Sequence, residues 1–134
     1  MIRMNIPEQF EDLFFGKNFA HVATINPDGS PQVTPMWIDY DKESNEILVN
    51  TAKGRKKTRN MKVGAKVALS IPDSTSSYRY LAIQGEISEV TTDGALDHIN
   101  KLSMRYFERE KYNLPEGEIR VLIRIKPKFV HTSG

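Results

Sequence analysis

The chain has no cysteine among its 134 residues. That absence excludes disulfides, iron–sulfur clusters, cysteine-ligated zinc and thiol nucleophiles. Histidine is scarce, and His21, His98 and His131 stand far apart with no metal-ligand spacing. No apolar run approaches the roughly 20 residues of a membrane-spanning helix. The N-terminus lacks a signal-peptide core, so the expected location is the cytoplasm. Net charge is only +2, too small for a chain built to coat nucleic acid. No Ser-His-Asp arrangement or carboxylate pair marks a conventional hydrolase. What remains is 39% hydrophobic and 27% charged. That balance fits one soluble domain over residues 1–134, with room for a core but little for a deep pocket of its own.

The charge that is present is unevenly placed. Thr51 to Lys62 holds six cationic residues in twelve, and no acidic residue lies between Glu46 and Asp73. Ile47-Leu48-Val49 enters this stretch with strand character, Gly54 permits a turn, and Thr58 to Val63 reads as the start of a helix. A strand, a basic glycine turn and a helix start together can hold an anion, because free backbone N–H groups, the helix dipole and cationic side chains converge there. The alternative is a solvated basic face, the commoner fate of a charge run. The absence of acidic partners one helical turn away favours the anion site. The spacing is not that of a P-loop.

Along the chain, Pro7 to Phe15 reads as a short helix, with Phe10, Leu13 and Phe14 on one face and Gly16 as its stop. Phe19 to Ile25 is a strand. Asn26-Pro27-Asp28-Gly29 is a turn that needs glycine at its last position. Gln32 to Tyr40 is a second strand, interrupted by Pro35, which cannot donate to a ladder. Glu46 to Thr51, Lys66 to Ile71, Tyr78 to Val90 and Ile119 to Val130 complete six strands. Leu81, Ile83, Gly85 and Ile87 share one face of the fifth, and Gly85 suits a close backbone approach or a bend. Thr92-Asp93 caps a helix running to about Lys111, with Leu96, Ile99, Ser103 and Tyr106 or Phe107 as its inner stripe. Six antiparallel strands with little helix avoid open edges by forming a barrel. Apolar residues on both faces of Val33 to Tyr40 point to a further buried surface, hence a dimer.

The run Ala23-Thr24-Ile25-Asn26-Pro27-Asp28-Gly29-Ser30-Pro31-Gln32-Val33-Thr34-Pro35-Met36-Trp37 resembles the opening hairpin of the pyridoxamine 5′-phosphate oxidase-like split β-barrel proteins. Val49 to Met61, followed by Val67-Ala68-Leu69-Ser70, resembles their phosphate-binding segment. The resemblance covers nearly the whole chain and is strongest to the short branch that uses FMN or the deazaflavin coenzyme F-420. It implies a mainly β fold, a six-stranded antiparallel split β-barrel with flanking helices, and a homodimer with cofactor at the subunit interface. By the same resemblance, Gln32, Val33, Thr34, Pro35, Met36 and Trp37 line the cofactor ring. Asn50 and Thr51 lie on the neighbouring strand. Arg55, Lys56, Lys57 and Thr58 hold the phosphate, Lys53 is a cofactor-binding cation beyond it that suits the anionic tail of the deazaflavin, and Tyr78 and Tyr80 reach in from the partner. No equivalent of the C-terminal arginine-containing substrate segment of the true oxidases is present, which argues against vitamin B6 oxidation.

The function implied is an oxidoreductase in which FMN or coenzyme F-420 exchanges hydride with a small molecule, the protein orienting the cofactor. No catalytic acid or base is identified, although Tyr78, Tyr80 and His131 are candidates. Three rivals remain: a cofactor carrier without turnover, a nucleic-acid-binding barrel that uses the basic stretch, and a dimeric structural domain with an anion-tolerant surface.

Overall fold

The computed structural model describes residues 4–134. Seven antiparallel strands form one sheet in the order β2-β1-β5-β6-β7-β4-β3. They are β1 (Phe19–Ile25), β2 (Pro31–Trp37), β3 (Asp39–Asp41), β4 (Glu46–Ala52), β5 (Lys66–Asp73), β6 (Ser76–Thr91) and β7 (Arg120–Ser133). Three short or medium helices flank them: α1 (Asp12–Phe15), α2 (Lys56–Asn60) and α3 (Ala95–Phe107).

The strand count exceeds the expected six because Gln32 to Tyr40 is not one strand. β2 pairs only with β1, from Ile25↔Pro31 to Phe19↔Trp37, and β3 pairs only with β4. These two strands are the opposite edges of the sheet, yet a single residue, Ile38, separates them in sequence. The sheet must therefore curl until its edges meet at Ile38, which is fully buried. Pro35 is tolerated because β2 is an edge strand with no second neighbour to receive a donor.

α3 closes this seam. The Ile38 N–H donates to Tyr106 Oη at 3.2 Å, and Tyr106 Oη donates to the Asn18 carbonyl at 2.5 Å. Arg105 Nη1 donates to the carbonyls of Ile38 at 2.9 Å and Phe14 at 3.0 Å. Its Nη2 reaches Asp39 Oδ1 at 3.0 Å. One helical turn thus satisfies the backbone groups that the break in the ladder leaves open.

The core fills the barrel with the inward residues of β1, β4, β5, β6 and β7, topped by Phe10, Leu13 and Phe14. Those three residues share a face as their spacing predicts, but the segment is a 3-10 turn (Glu8–Phe10) followed by α1 rather than one helix. The turn at Gly29 takes φ 87°, and its N–H donates to the Asn26 carbonyl at 2.9 Å. α2 begins at Lys56, two residues before the expected start, and ends at Asn60. α3 begins later than expected. Gly94, at φ 76°, stands at its N-cap without a side-chain cap, and the Asp93 N–H instead donates to Thr91 Oγ1. The buried stripe of α3 comprises Ala95, His98, Ile99, Leu102, Ser103 and Tyr106, while Leu96 and Phe107 lie exposed.

Gly85 sits where β6 crosses close over β7. A Cβ there would lie 2.7 Å from Ile125 Cγ2 and 2.9 Å from the Lys126 carbonyl oxygen. The backbone carbonyl cannot rotate away as a side chain can. Gly85→Ala is expected to lower stability by about 1–3 kcal/mol. Urea unfolding measures it, and a loss below about 0.5 kcal/mol, the scale of an ordinary surface change, would contradict the packing.

Candidate functional site

The seam at Ile38 brings three strand ends together. The end of β2 (Pro35, Met36, Trp37), the end of β4 (Asn50) and the start of β7 (Arg120) border one cavity of about 190 Å³. The basic turn before α2 adds Arg55 and Lys57 to its wall, and Phe19, Ile99 and Tyr112 complete it. β4 and β7 are adjacent in register, Asn50 opposite Leu122 and Ala52 opposite Arg120. The basic turn follows β4 directly, so its cations fall beside the first residue of β7.

One wall is aromatic. The Trp37 ring stacks on Tyr106 with centroids 5.0 Å apart and an interplanar angle of 6°. Phe107 and Tyr112 meet it edge-on at 5.2 and 6.5 Å. This fixes a flat, rigid indole at the cavity edge.

The charged part of the lining is cationic. Arg55 Nη2 pairs with Glu118 at 3.0 Å, and Arg120 Nη1 pairs with the same carboxylate at 3.2 Å. Among the described residues, Lys57 has no carboxylate within salt-bridge distance. Burial, then the charges of Arg55 and Arg120, push its ammonium below the usual lysine range. Arg55 and Arg120 share one carboxylate and Lys57 pairs with none among the described residues, and such a surplus of positive charge in a half-buried wall is relieved by an anion.

Behind the cavity lies a buried polar chain. Asn50 Nδ2 donates to the Ala95 carbonyl at 2.8 Å and to His98 Nδ1 at 3.2 Å, and Asn50 Oδ1 accepts from Arg120 Nε at 2.9 Å. His98 Nε2 lies 3.0 Å from Asp39 Oδ2. Asp39 is fully buried and also accepts from Lys101 at 3.1 Å and Arg105 at 3.0 Å. Burial alone would raise its carboxyl, but the His98 hydrogen bond and the Arg105 guanidinium outweigh it. They hold Asp39 well below the usual carboxylate range.

The expected site residues divide. Pro35, Met36, Trp37, Asn50, Arg55 and Lys57 meet in this cavity. Gln32, Val33 and Thr34 lie further along β2, and Val33, 65% exposed, borders a separate outer groove with His21, Phe129 and His131. Thr51 is buried with its hydroxyl 3.0 Å from Thr58 Oγ1, and Thr58 Oγ1 donates inward to the Ala52 carbonyl at 2.8 Å. Lys53 and Thr58 border another groove, beside Arg59 and Lys62. Lys56 is exposed. Tyr78 is 86% exposed, and Tyr80 stands beside His131, away from the cavity of its own chain. Sequence reasoning missed Phe19, Ile99, Tyr112 and Arg120. For Arg120 a signal existed: it opens the apolar run Val121-Leu122-Ile123, where an arginine on a buried strand needs partners.

Because the Asp39 carboxyl is depressed in the folded state, its contribution to stability is full above the unfolded carboxylate value. It declines as the pH falls below about 4 toward the folded value. Asp39→Asn is expected to cost about 3 kcal/mol at neutral pH, with wild type and variant converging in acid. Unfolding curves across pH test this, and a pH-independent gap would contradict it.

The family described as pyridoxamine 5′-phosphate oxidase matches residues 6–134. No curated protein matches the chain in sequence. Among solved structures, one named F420 reductase is 31% identical with a TM-score of 0.80, covering 94% of this chain and 98% of that one. General Stress Protein 26 from Bacillus anthracis shares the fold at 18% identity and TM-score 0.68, covering 94% and 92%. An FAD and heme binding protein from Mycobacterium smegmatis does so at 19% identity and TM-score 0.67, covering 96% and 72%. On the length of the family match and the similarity to the F420 reductase, the chain belongs to the pyridoxamine 5′-phosphate oxidase family.

Proposed function

We propose that this protein is a homodimeric oxidoreductase that binds a flavin-type cofactor, with coenzyme F-420 favoured over FMN. The observation that carries the reading is the cavity itself, where a fixed aromatic plane at Trp37 borders the same space as Arg55, Arg120 and Lys57, the last without a carboxylate partner among the described residues. A flat heteroaromatic ring attached to a phosphate matches both walls. The 31% identity to a structure named F420 reductase favours the deazaflavin.

The residues present fit such a group. Lys57 and Arg55 would hold the phosphate, and the backbone and side chains of Pro35 to Trp37 would lie along the ring. When bound, the cofactor accepts or donates hydride. The chain orients the ring by its aromatic wall, neutralises the phosphate with its cations and screens the site from water with Phe19, Met36 and Ile99. No side chain in the cavity is assigned a proton-transfer role.

One chain leaves the site incomplete. A cavity of about 190 Å³ is below the roughly 300 Å³ at which sites for drug-sized ligands begin. The outer face of β2, β1, β5, β6 and β7 supplies the means of completing it. Ile25, Val33 and Phe129 lie exposed there beside open grooves of about 480 and 370 Å³. A second copy seated on this face would cover that apolar surface and bring its Tyr78 and Tyr80 toward the cavity.

Titration of the purified protein with F-420 and with FMN, followed by absorbance and fluorescence, tests the cofactor. Lys57→Ala should weaken binding by roughly tenfold to a hundredfold, the size of a charge-assisted hydrogen bond, while leaving the thermal midpoint nearly unchanged. Unchanged affinity in that variant, or no binding of either cofactor by the wild type, would overturn the assignment. Sedimentation should give a dimer.

A further inference from the structure

We infer that Arg120 is a ligand-contacting residue of this site, and that Asn50 and His98 are positioning residues that set its guanidinium. The inference rests on the flavin-type reading for the identity of the ligand, but not for the presence of an oxyanion. Arg120 is 7% exposed. Its Nε donates to Asn50 Oδ1 at 2.9 Å. Its Nη1 donates to Glu118 at 3.2 Å and to Tyr112 Oη at 3.4 Å. Its plane lies over the Tyr112 ring, 4.8 Å from the centroid. Only Nη2 has no partner among the described residues. No buried side-chain nitrogen or oxygen among them lacks a hydrogen bond, so Nη2 keeps accessible surface, and the cavity is the space that Arg120 lines. The side chain is held at three points and presents its last two N–H bonds to the cavity, near Lys57, whose ammonium it depresses. A rigid guanidinium beside an ammonium is a fork for a phosphate or carboxylate oxygen.

The orientation behind it follows from hydrogen-bond chemistry. The Ala95 carbonyl only accepts, and Arg120 Nε only donates. Asn50 must therefore turn its NH₂ toward Ala95 and its oxygen toward Arg120. The same NH₂ donates to His98 Nδ1, so the His98 proton resides on Nε2 and is donated to Asp39. Asn50 has no donor left for a ligand oxygen in its own cavity. It acts through Arg120, and His98 keeps its amide from turning.

Arg120→Gln, Asn50→Ala and their double variant separate these roles. Each is titrated with FMN and F-420, and with riboflavin and the dephosphorylated deazaflavin alcohol. Arg120→Gln should weaken the phosphorylated ligands by roughly tenfold, equivalent to about 1.4 kcal/mol, with the phosphate-free ligands unaffected. Asn50→Ala and His98→Leu should show a smaller loss confined to the phosphorylated ligands. The double variant should lose no more than Arg120→Gln alone. Arg120→Lys, which keeps the charge but not the fork, carries the same test if the glutamine variant does not fold. Equal weakening of both ligand classes, no weakening, or additive losses would overturn the inference. If the wild type binds no flavin at all, the proposed function fails separately. Inorganic phosphate then decides on Arg120: it should raise the wild-type melting temperature more than that of Arg120→Gln. Equal or absent rises would overturn the inference.

Discussion

The fold depends on the closure of one seam. β2 and β3 are neighbours in sequence but opposite edges of the sheet, and Ile38 joins them without a place in either ladder. A break of this kind exposes backbone donors and acceptors inside the protein, where an unpaired group costs about 1–3 kcal/mol. Tyr106 and Arg105, successive residues of α3, answer it with hydrogen bonds to Ile38 on both its N–H and its carbonyl. Asp39 then anchors Arg105, Lys101 and His98 from below. The chain forces the two edges together at Ile38, and that helical turn satisfies the groups their meeting leaves open.

The candidate site is a consequence of the same closure. Tyr106 both seals the seam and stacks on Trp37, so the aromatic wall is set by the residue that holds the barrel shut. Asp39 is likewise shared, since His98 links it to Asn50 and through Asn50 to Arg120. Structural and cavity-lining groups form one connected network. Such a network can hold a flat cofactor in register without a deep pocket, because its side chains are already fixed when the ligand arrives.

Much of the architecture was legible in local pattern. Phe19 to Ile25 is a strand as expected, and the apolar face of Leu81, Ile83 and Ile87 is buried. The break at Ile38 was not legible, since Pro35 suggested an interruption three residues early and edge pairing is a long-range property. The start of α3 was misplaced because Thr92-Asp93 has the composition of a cap, while Gly94 takes the left-handed geometry that actually begins the helix. That shift also moved the inner stripe from Leu96 to Ala95 and His98. Of the basic stretch, the charge was visible, but its division was not. Arg55 and Lys57 line one cavity, and Lys53, Arg59 and Lys62 another, and within α2 the alternate residues Lys57 and Arg59 are divided between the two. Arg120 escaped notice because its importance arises from Asn50, 70 residues away in sequence.

Trp37 is the only tryptophan in the chain and forms part of the cavity wall. Its emission therefore reports on that cavity alone. The most direct measurement is the intrinsic fluorescence of the protein during titration with coenzyme F-420. The account predicts quenching of Trp37 that saturates together with the change in the cofactor's own spectrum, at one cofactor per chain. Saturable F-420 binding with Trp37 emission unchanged would place the cofactor elsewhere and contradict the central claim.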